Sequence, residues 1–553
     1  MTSHERTTTE TRRPRTRPLL GSAVCVLVSA LTLTLSAPAG AGPSDSGLKG
    51  AVDTILADAR LDGGASSVVI ADAVTGERLY QRAGTDRLMP ASNTKLLTSA
   101  AAMALLGPDH RYTTEVLSPG RRDGSTLRGD LHLRGSGDPT TLPGDYDRLA
   151  ADLAASGIQR VTGRLIADDT RFDTERLGRG WAGDDESSYY SAQISALTVA
   201  PDTDYDAGTV IVEAVPGAKA GDRPRITVTP RTDYVRIDNS GTTVAAGGSD
   251  TLAIARRHGG NTVTVSGNIP LGGSATKEWV TVWEPTGYAA AVFSDALARH
   301  GVRIGDDPRL GRPTPAGARV LASHRSMPLR ELMRPFMKLS NNMHAEALIK
   351  TIGHETAGRG TWSAGLSAVN ARLREEGVDT STLRQADGSG LSRMNVVPAE
   401  QFARLLLSVR DAPWYADWHA SLPVACAPDR AVGGTLRTRM CNTPAALNAR
   451  AKTGSLTGAS ALSGYVKDAA GRELVYAIVL NNYLAPSVKS VEDAIVVTLA
   501  RSDTAAGTIA SVAPRPPDAT STPDGASGSA DAPGPAGAPD TGTECAWRKP
   551  RLC

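Results

Sequence analysis

The sequence predicts a mixed α/β (α+β) fold in which two distant blocks, residues 44–113 and 321–508, share one antiparallel sheet flanked by helices. Three observations carry this reading. Two hairpin signals stand far apart in the chain, and helical runs cluster around them. The stretch between, 114–320, changes texture: Val, Thr and Ile alternate with Gly, Asp and Pro, as at Thr209 to Ala214 and Asn261 to Ile269. That texture reads as a β-rich insertion of two subdomains.

Taken in order, residues 1–41 are set apart from the fold. Arg12, Arg13, Arg15 and Arg17 precede an apolar run from Leu19 to Ser36, and small residues follow from Ala37 to Ala41. This is the order of a secretory signal peptide cut after Ala39 or Ala41. A retained membrane anchor is the alternative, and the Ser and Thr content of the run argues against it. The rest of a twin-arginine signal is missing, which favours the general secretion route. Beyond residue 41 the chain holds 55 basic and 56 acidic residues. Such a balance leaves no polybasic footprint for nucleic acid. No second long apolar run occurs, so no transmembrane segment is expected in the mature chain.

Ser66 to Ala73, a turn near Gly76 and Glu77 to Gln81 read as one hairpin. Ala461 to Lys467 and Glu473 to Leu480, around Ala469-Ala470-Gly471, read as another. Helices are predicted from Ser92 to Gly107, Leu329 to Lys338, His344 to Gly353, Trp362 to Glu376 and Ala399 to Val409. Residues 509–553 form a tail. Ala513 to Glu544 is almost wholly Pro, Ala, Gly, Ser, Thr and Asp, and cannot bury enough apolar surface to order itself. Cys545 to Cys553 then forms a small basic loop if its cysteines pair. The loop could touch an anionic wall polymer or serve as a solubilising end. Of the five cysteines, Cys25 falls in the leader. Outside the cytoplasm the local pairs Cys426–Cys441 and Cys545–Cys553 are the default disulfides. No spacing suggests a zinc site, and no cofactor is called for.

Three short runs carry the chemistry: Ser92-Asn93-Thr94-Lys95, Ser340-Asn341-Asn342 and Lys452-Thr453-Gly454. They read as S-x-x-K, S-x-N and K-T-G, the signature set of serine enzymes that act on penicillin or on the peptide it mimics. Singly they are weak. S-x-x-K also occurs at Ser46/Lys49 and Ser274/Lys277, and S-x-N at Ser266 to Asn268. Only Ser92 opens an apolar helix, after Pro90. There the i, i+3 spacing places Lys95 on the face of Ser92, and the helix N-terminus favours an alkoxide. Lysine usage sharpens the case. Only ten of the sixty basic residues are lysine, yet lysine fills both motif positions. Lysine can lose its proton and arginine effectively cannot, so Lys95 suits a general base, with the ammonium of Lys452 helping to lower its pKa. No G-x-S-x-G elbow occurs, and a packing or surface role fits His344.

With longer runs added, the chain resembles the class C, low-molecular-mass penicillin-binding proteins, the D-alanyl-D-alanine carboxypeptidases/endopeptidases. These runs are Gly135 to Pro139, Trp181 to Glu186, Ser195 to Thr198, Asp387 to Arg393, Ala451 to Gly454 and Ala461 to Tyr465. The spacings of 248 residues from Ser92 to Ser340 and 112 from there to Lys452 fit the same family. The resemblance implies a penicillin-recognising, transpeptidase-like core carrying two extra domains. It implies that Ser92 attacks the penultimate D-Ala carbonyl of a peptidoglycan stem peptide and Lys95 takes its proton. Ser340 with Lys452 relays a proton to the leaving amine, and Asn342 holds the peptide amide. Backbone N–H groups of Ser92 and Ser455 form the oxyanion hole. Thr453 and Ser455 bind the terminal carboxylate, and Gly454 admits the substrate closely. A side-chain pocket is implied at Trp181, Asp184, Tyr189, Leu391, Arg393, Leu456 and Thr457, where Asp184 meets an ammonium and Arg393 a carboxylate. β-Lactams are the implied inhibitors, and the outer face of the envelope is the implied location. Two other readings stand beside it. A β-lactamase-like hydrolase needs a carboxylate-activated water, such as an E-x-x-x-N loop, and none is placed convincingly. A non-enzymatic wall-binding scaffold would not need intact motifs.

Overall fold

The computed structural model describes residues 44–305, 307–503 and 508–509. The predicted leader (1–41), most of the tail and the Cys545–Cys553 pair lie outside the described residues. No helix among the described residues is long and apolar enough to cross a membrane.

The core is an antiparallel sheet of five strands: β1 (Ala65–Asp72), β2 (Arg78–Arg82), β3 (Arg450–Leu456), β4 (Ala459–Lys467) and β5 (Glu473–Asn481), in the order β2-β1-β5-β4-β3. The N-terminal hairpin therefore pairs with a strand some 400 residues later, Val69 opposite Ala477 and Ile70 opposite Tyr476. Strand periodicity explains how the sheet is covered. Along β5, Val475, Ala477 and Val479 face one apolar cluster, while Leu474, Tyr476, Ile478 and Leu480 face another. Both faces are buried, so the strand reads as a continuous apolar run rather than an alternation.

On the second face lie helix α1 (Ser44–Ile55), through Leu48 and Val52, and the C-terminal helix Lys489–Arg501, through Val491, Ile495 and Leu499. The first face carries α2 (Thr94–Leu105), whose Leu96, Leu97, Ala100 and Met103 are buried. Beyond two insertion helices, α3 (Pro143–Ala155) and α4 (Pro285–Arg299), the same face holds α5 (Leu329–Lys338), α6 (Asn342–Ala357), α7 (Trp362–Glu375) and α8 (Ala399–Ser408). Both predicted hairpins and the predicted core helices are present to within a few residues. At the front of α2, Ser92 itself sits in a 3₁₀ turn, Ala91–Asn93.

Residues 114–320 carry many short strands and also two helices, α3 and α4. Tyr146, Leu149, Ala150 and Leu153 make a helical stripe in α3, packed with Tyr288, Phe293 and Leu297 of α4. The stripe is legible at i, i+3, i+4, i+7. The Gly, Pro and Asp on either side of it obscured it. Strand Thr113–Ser118 pairs with Arg319–Arg325, so the chain leaves and re-enters the core side by side. Tyr112 and Ser326 exchange hydrogen bonds at that junction, at 2.9 and 3.0 Å.

Candidate active site

Three elements converge on one cleft. Ser92 comes from the turn before α2, Ser340 and Asn342 from the α5–α6 junction, and Lys452 from β3. The junction is tight. With α5 ending at Lys338 and α6 beginning at Asn342, Ser340 adopts φ 60°, a left-handed conformation that costs a non-glycine residue about 1–2 kcal/mol. A glycine would relieve it, so the serine keeps its place for its hydroxyl. Asn341 caps α6 by accepting from the N–H groups of Met343 and His344, at 3.0 and 3.3 Å. Its amide nitrogen donates to Tyr205 O and Asp206 Oδ1, at 2.9 and 3.1 Å, and so ties an insertion loop to the cleft.

The Lys95 ammonium is fully buried and donates to Ser92 Oγ at 2.8 Å, Asn342 Oδ1 at 2.6 Å and Ser389 O at 2.9 Å. Deprotonated, the amine keeps two N–H donors for Asn342 and Ser389 and turns its lone pair to the Ser92 hydroxyl. Lys452, also fully buried, donates to Ser340 Oγ at 2.7 Å and Thr453 O at 2.9 Å. The amide nitrogen of Asn342 donates to Tyr190 O at 2.8 Å.

β3 is the edge strand on this side of the sheet. The Ala451 N–H points away from β4, to Pro423 O at 3.0 Å. By strand alternation the Thr453 and Ser455 N–H groups share that outer edge, where an extended peptide can add as a further strand. Gly454 also lies against the turn that bears Ser92. A Cβ there would lie 2.6 Å from Pro90 O and 3.2 Å from Asn93 N, so the close approach it permits is to the turn bearing Ser92. Gly390, at φ 86°, does the same from the opposite side, where a Cβ would strike Ala91 O at 1.8 Å.

Residues 48–502 match the D-Ala-D-Ala carboxypeptidase 3 (S13) family. The chain belongs to that family. It is 46% identical over 493 residues to the D-alanyl-D-alanine carboxypeptidase of Actinomadura sp. (strain R39), covering 87% of this chain and 90% of that protein. It is 26% identical to D-alanyl-D-alanine carboxypeptidase DacB of Haemophilus influenzae, over 74% of this chain and 83% of that one. The crystal structure of penicillin binding protein 4 from H. influenzae superposes with a TM-score of 0.71 at 24% identity, covering 81% of this chain and 98% of that one. This is the penicillin-binding-protein fold. A second structure of that protein is a complex with a novel β-lactam.

Within the S13 frame, several residues expected in the side-chain pocket have contacts around the 387–393 loop and the β3–β4 hairpin. Arg393 Nη1 donates to Thr457 O at 3.1 Å, at the tip of the β3–β4 hairpin beside Leu456. Leu391 is buried two residues before Arg393, on the same loop. Trp181 Nε1 donates to Asp387 Oδ2 at 3.0 Å, also on that loop. Tyr189 stands next to Tyr190, whose carbonyl meets Asn342. Asp184 is exposed on the 3₁₀ turn Gly183–Asp185.

Sequence reasoning missed several groups. Thr435 Oγ1 lies 2.8 Å from Thr453 Oγ1, on the loop closed by the Cys426–Cys441 disulfide. Glu346 is fully buried one turn along α6 from Asn342, and burial followed by the charge of Asp387 pushes its carboxyl up to about 7. Its spacing from Asn342, i to i+4, was the available signal. His344 is fully buried, contacts Tyr205 O at 3.0 Å, and burial draws its pKa down to about 3, so it packs as a neutral ring. Among the described residues one acidic group has metal-like spacing, Asp202, Asp204 and Asp206, with ligand oxygens within 4.8 Å of one another. Asp204 pairs there with Arg430 and Asp206 accepts from Asn341.

Proposed function

We propose that this S13 D-Ala-D-Ala carboxypeptidase works through an acyl-enzyme on Ser92, within a discontinuous catalytic domain formed by 44–113 and 321–508. The observation that carries the proposal is the double pairing in one cleft, Lys95 on Ser92 at 2.8 Å and Lys452 on Ser340 at 2.7 Å. Ser92 Oγ attacks the carbonyl carbon of the penultimate D-Ala of a stem peptide, and its proton passes to Lys95 Nζ. The tetrahedral oxyanion accepts from the N–H groups of Ser92 and Ser455, where one lost donor typically costs about 10²–10³ in rate. Collapse breaks the C–N bond, and the departing D-Ala amine takes a proton through Ser340, replenished from Lys452. Lys95 then gives up its proton and Lys452 regains one. Water attacks the ester and passes a proton to the neutral Lys95 amine, which returns it to Ser92 Oγ as the C–O bond breaks and the acid leaves. Thr453 and Ser455 hold the terminal carboxylate, and Asn342 the peptide amide.

The same bond chemistry extends to cross-links whose scissile bond also follows a D-Ala carbonyl, so DD-endopeptidase activity belongs to the proposal. A β-lactam ring would acylate Ser92 and leave slowly. Glu346, the acid on α6 nearest the motif, spends its oxygens on the N–H groups of Gly388, Ser389 and Trp362. It is not arranged to activate water as a β-lactamase carboxylate must. We further propose that Trp181, Asp184, Tyr189, Leu391, Arg393, Leu456 and Thr457 receive the diamino-acid side chain of the stem peptide. Secretion through the leader and action at the cell wall follow from the substrate.

The test is acylation by a fluorescent penicillin with the label located by peptide mass spectrometry, beside D-Ala release from a stem pentapeptide and a Ser92→Ala control. A stable adduct on the Ser92 peptide, absent from the control, is expected. A label elsewhere, or D-Ala release by the Ser92→Ala protein, would overturn the assignment. Rapid penicilloate release would favour the β-lactamase reading.

A further inference from the structure

Ser389 O is one of the acceptors that hold Lys95, yet it belongs to a loop with no regular secondary structure. Something must fix that carbonyl. The N–H and C=O groups of Gly388 and Ser389 are all held. The Gly388 and Ser389 N–H groups both donate to the Glu346 carboxylate, at 3.0 Å to Oε2 and 2.8 Å to Oε1. Gly388 O accepts from Thr98 Oγ1 of α2 at 2.7 Å. Ser389 O accepts from Lys95 itself. Glu346, Thr98, Ser389 and Lys95 all have zero exposure, so no water shares these bonds at the surface.

Glu346 is itself fixed. Trp362 Nε1 of α7 donates to its Oε2 at 2.7 Å. The Trp362 ring carries Lys350 Nζ 3.8 Å from its centre and meets Trp181 edge-on, with centroids 6.3 Å apart. Trp181 in turn donates to Asp387, which accepts from the Gly390 and Ser392 N–H groups at 2.8 and 2.6 Å. A carboxylate is the group this position requires, because it presents acceptors on both oxygens to three N–H donors. A carboxamide would turn its own N–H₂ against at least one of them.

We propose that Glu346 is a positioning residue for the Ser92–Lys95 pair, acting through the Gly388–Ser389 backbone to set the carbonyl that orients the Lys95 amine. It touches no substrate. α6 thus serves the lysine twice, directly through Asn342 and, one turn on, indirectly through Glu346. The proposal rests on the assignment of Lys95 as base to Ser92.

The experiment uses the protein with Glu346→Gln and, separately, Thr98→Val, which removes the other side-chain clamp on the same peptide while keeping its shape. Acylation by a fluorescent penicillin is followed over a range of concentrations to separate pre-acylation binding from the first-order acylation step, and thermal unfolding is recorded alongside. The expected result for Glu346→Gln is a 10- to 100-fold slower acylation step with pre-acylation binding unchanged within about twofold. Thr98→Val should slow the same step 3- to 10-fold. An effect on binding alone, or wild-type acylation by a folded Glu346→Gln protein, overturns the proposal. If Glu346→Gln does not fold, Thr98→Val decides, and normal acylation by it refutes the clamp. Absence of Ser92 acylation in the wild type would instead refute the catalytic reading beneath it.

Discussion

Gly454→Ala is the sharpest single test of how the cleft is built. The added Cβ would stand 2.6 Å from Pro90 O, where ordinary contact begins near 3.4 Å, so β3 and the Ser92 turn must separate by about 0.8 Å. Two further contacts, Ala91 Cβ and Asn93 N at 3.2 Å each, close the sideways escape. Neither partner yields easily, because β3 is registered along β4 from Arg450 to Leu456 and the Asn93 amide is bonded to Ser463 Oγ at 2.7 Å. The displacement falls between Ser92 and the Ser455 N–H, the two walls of the proposed oxyanion hole. A misplacement near 1 Å costs on the order of 10²-fold in rate. Overpacking of this kind costs about 1–3 kcal/mol of stability. Stopped-flow acylation by a fluorescent penicillin should therefore slow about 100-fold, while the protein remains folded with a modestly lower Tm. Wild-type acylation by Gly454→Ala would refute the reasoning, since it would mean that the two walls can part without consequence.

Lys95→Met should fold but lose acylation by at least 10²- to 10⁴-fold, the usual worth of a general base, with D-Ala release as the assay. Lys95→Arg should not rescue it, because the guanidinium stays protonated. Cys426→Ser should lower stability by about 3 kcal/mol in chemical denaturation, since the bridge closes a 15-residue interval. It should also weaken substrate binding, because Thr435 on that loop steadies Thr453. His344→Gln should flatten the acid side of the stability curve. Burial holds the native pKa at about 3 against an unfolded value of 6.5, so the unfolded chain binds the extra proton between those limits. Its contribution is complete above pH 6.5 and is lost as pH falls towards 3, so the gap in midpoint between wild type and variant should narrow over that window.

Lysine scarcity was a productive clue, but it points to burial as much as to catalysis. Lys338 and Lys350 are as deeply placed as the two motif lysines. Lys350 pairs with Asp173 and lies over Trp362, while Lys338 donates to Leu422 O, with burial bringing its pKa down to about 7. Neither sits in a motif, and lysine scarcity alone could not separate them from Lys95. Glu346 shows the converse. Its i+4 relation to Asn342 is legible in the sequence, but its partners on the 388–389 backbone are set by loop packing that has no periodic signature.

The sequence by itself determined the parts of the chemistry and their local setting. Ser92 and Lys95 share one helical face because three residues make nearly one turn, and β4 and β5 read as a hairpin from their apolar runs around a Gly-containing turn. Such information is short-range, carried by periodicity and by residue type. The tertiary structure decided what local pattern cannot encode. It brought Lys95 to Asn342 across 247 residues and Lys452 to Ser340 across 112. It turned Gly454 towards the Ser92 turn, and it gathered Glu346, Thr98 and Lys95 around one buried peptide. These contacts exist because a sheet assembled from both ends of the chain must bury both faces, and the helices that cover it deliver their polar residues to one cleft.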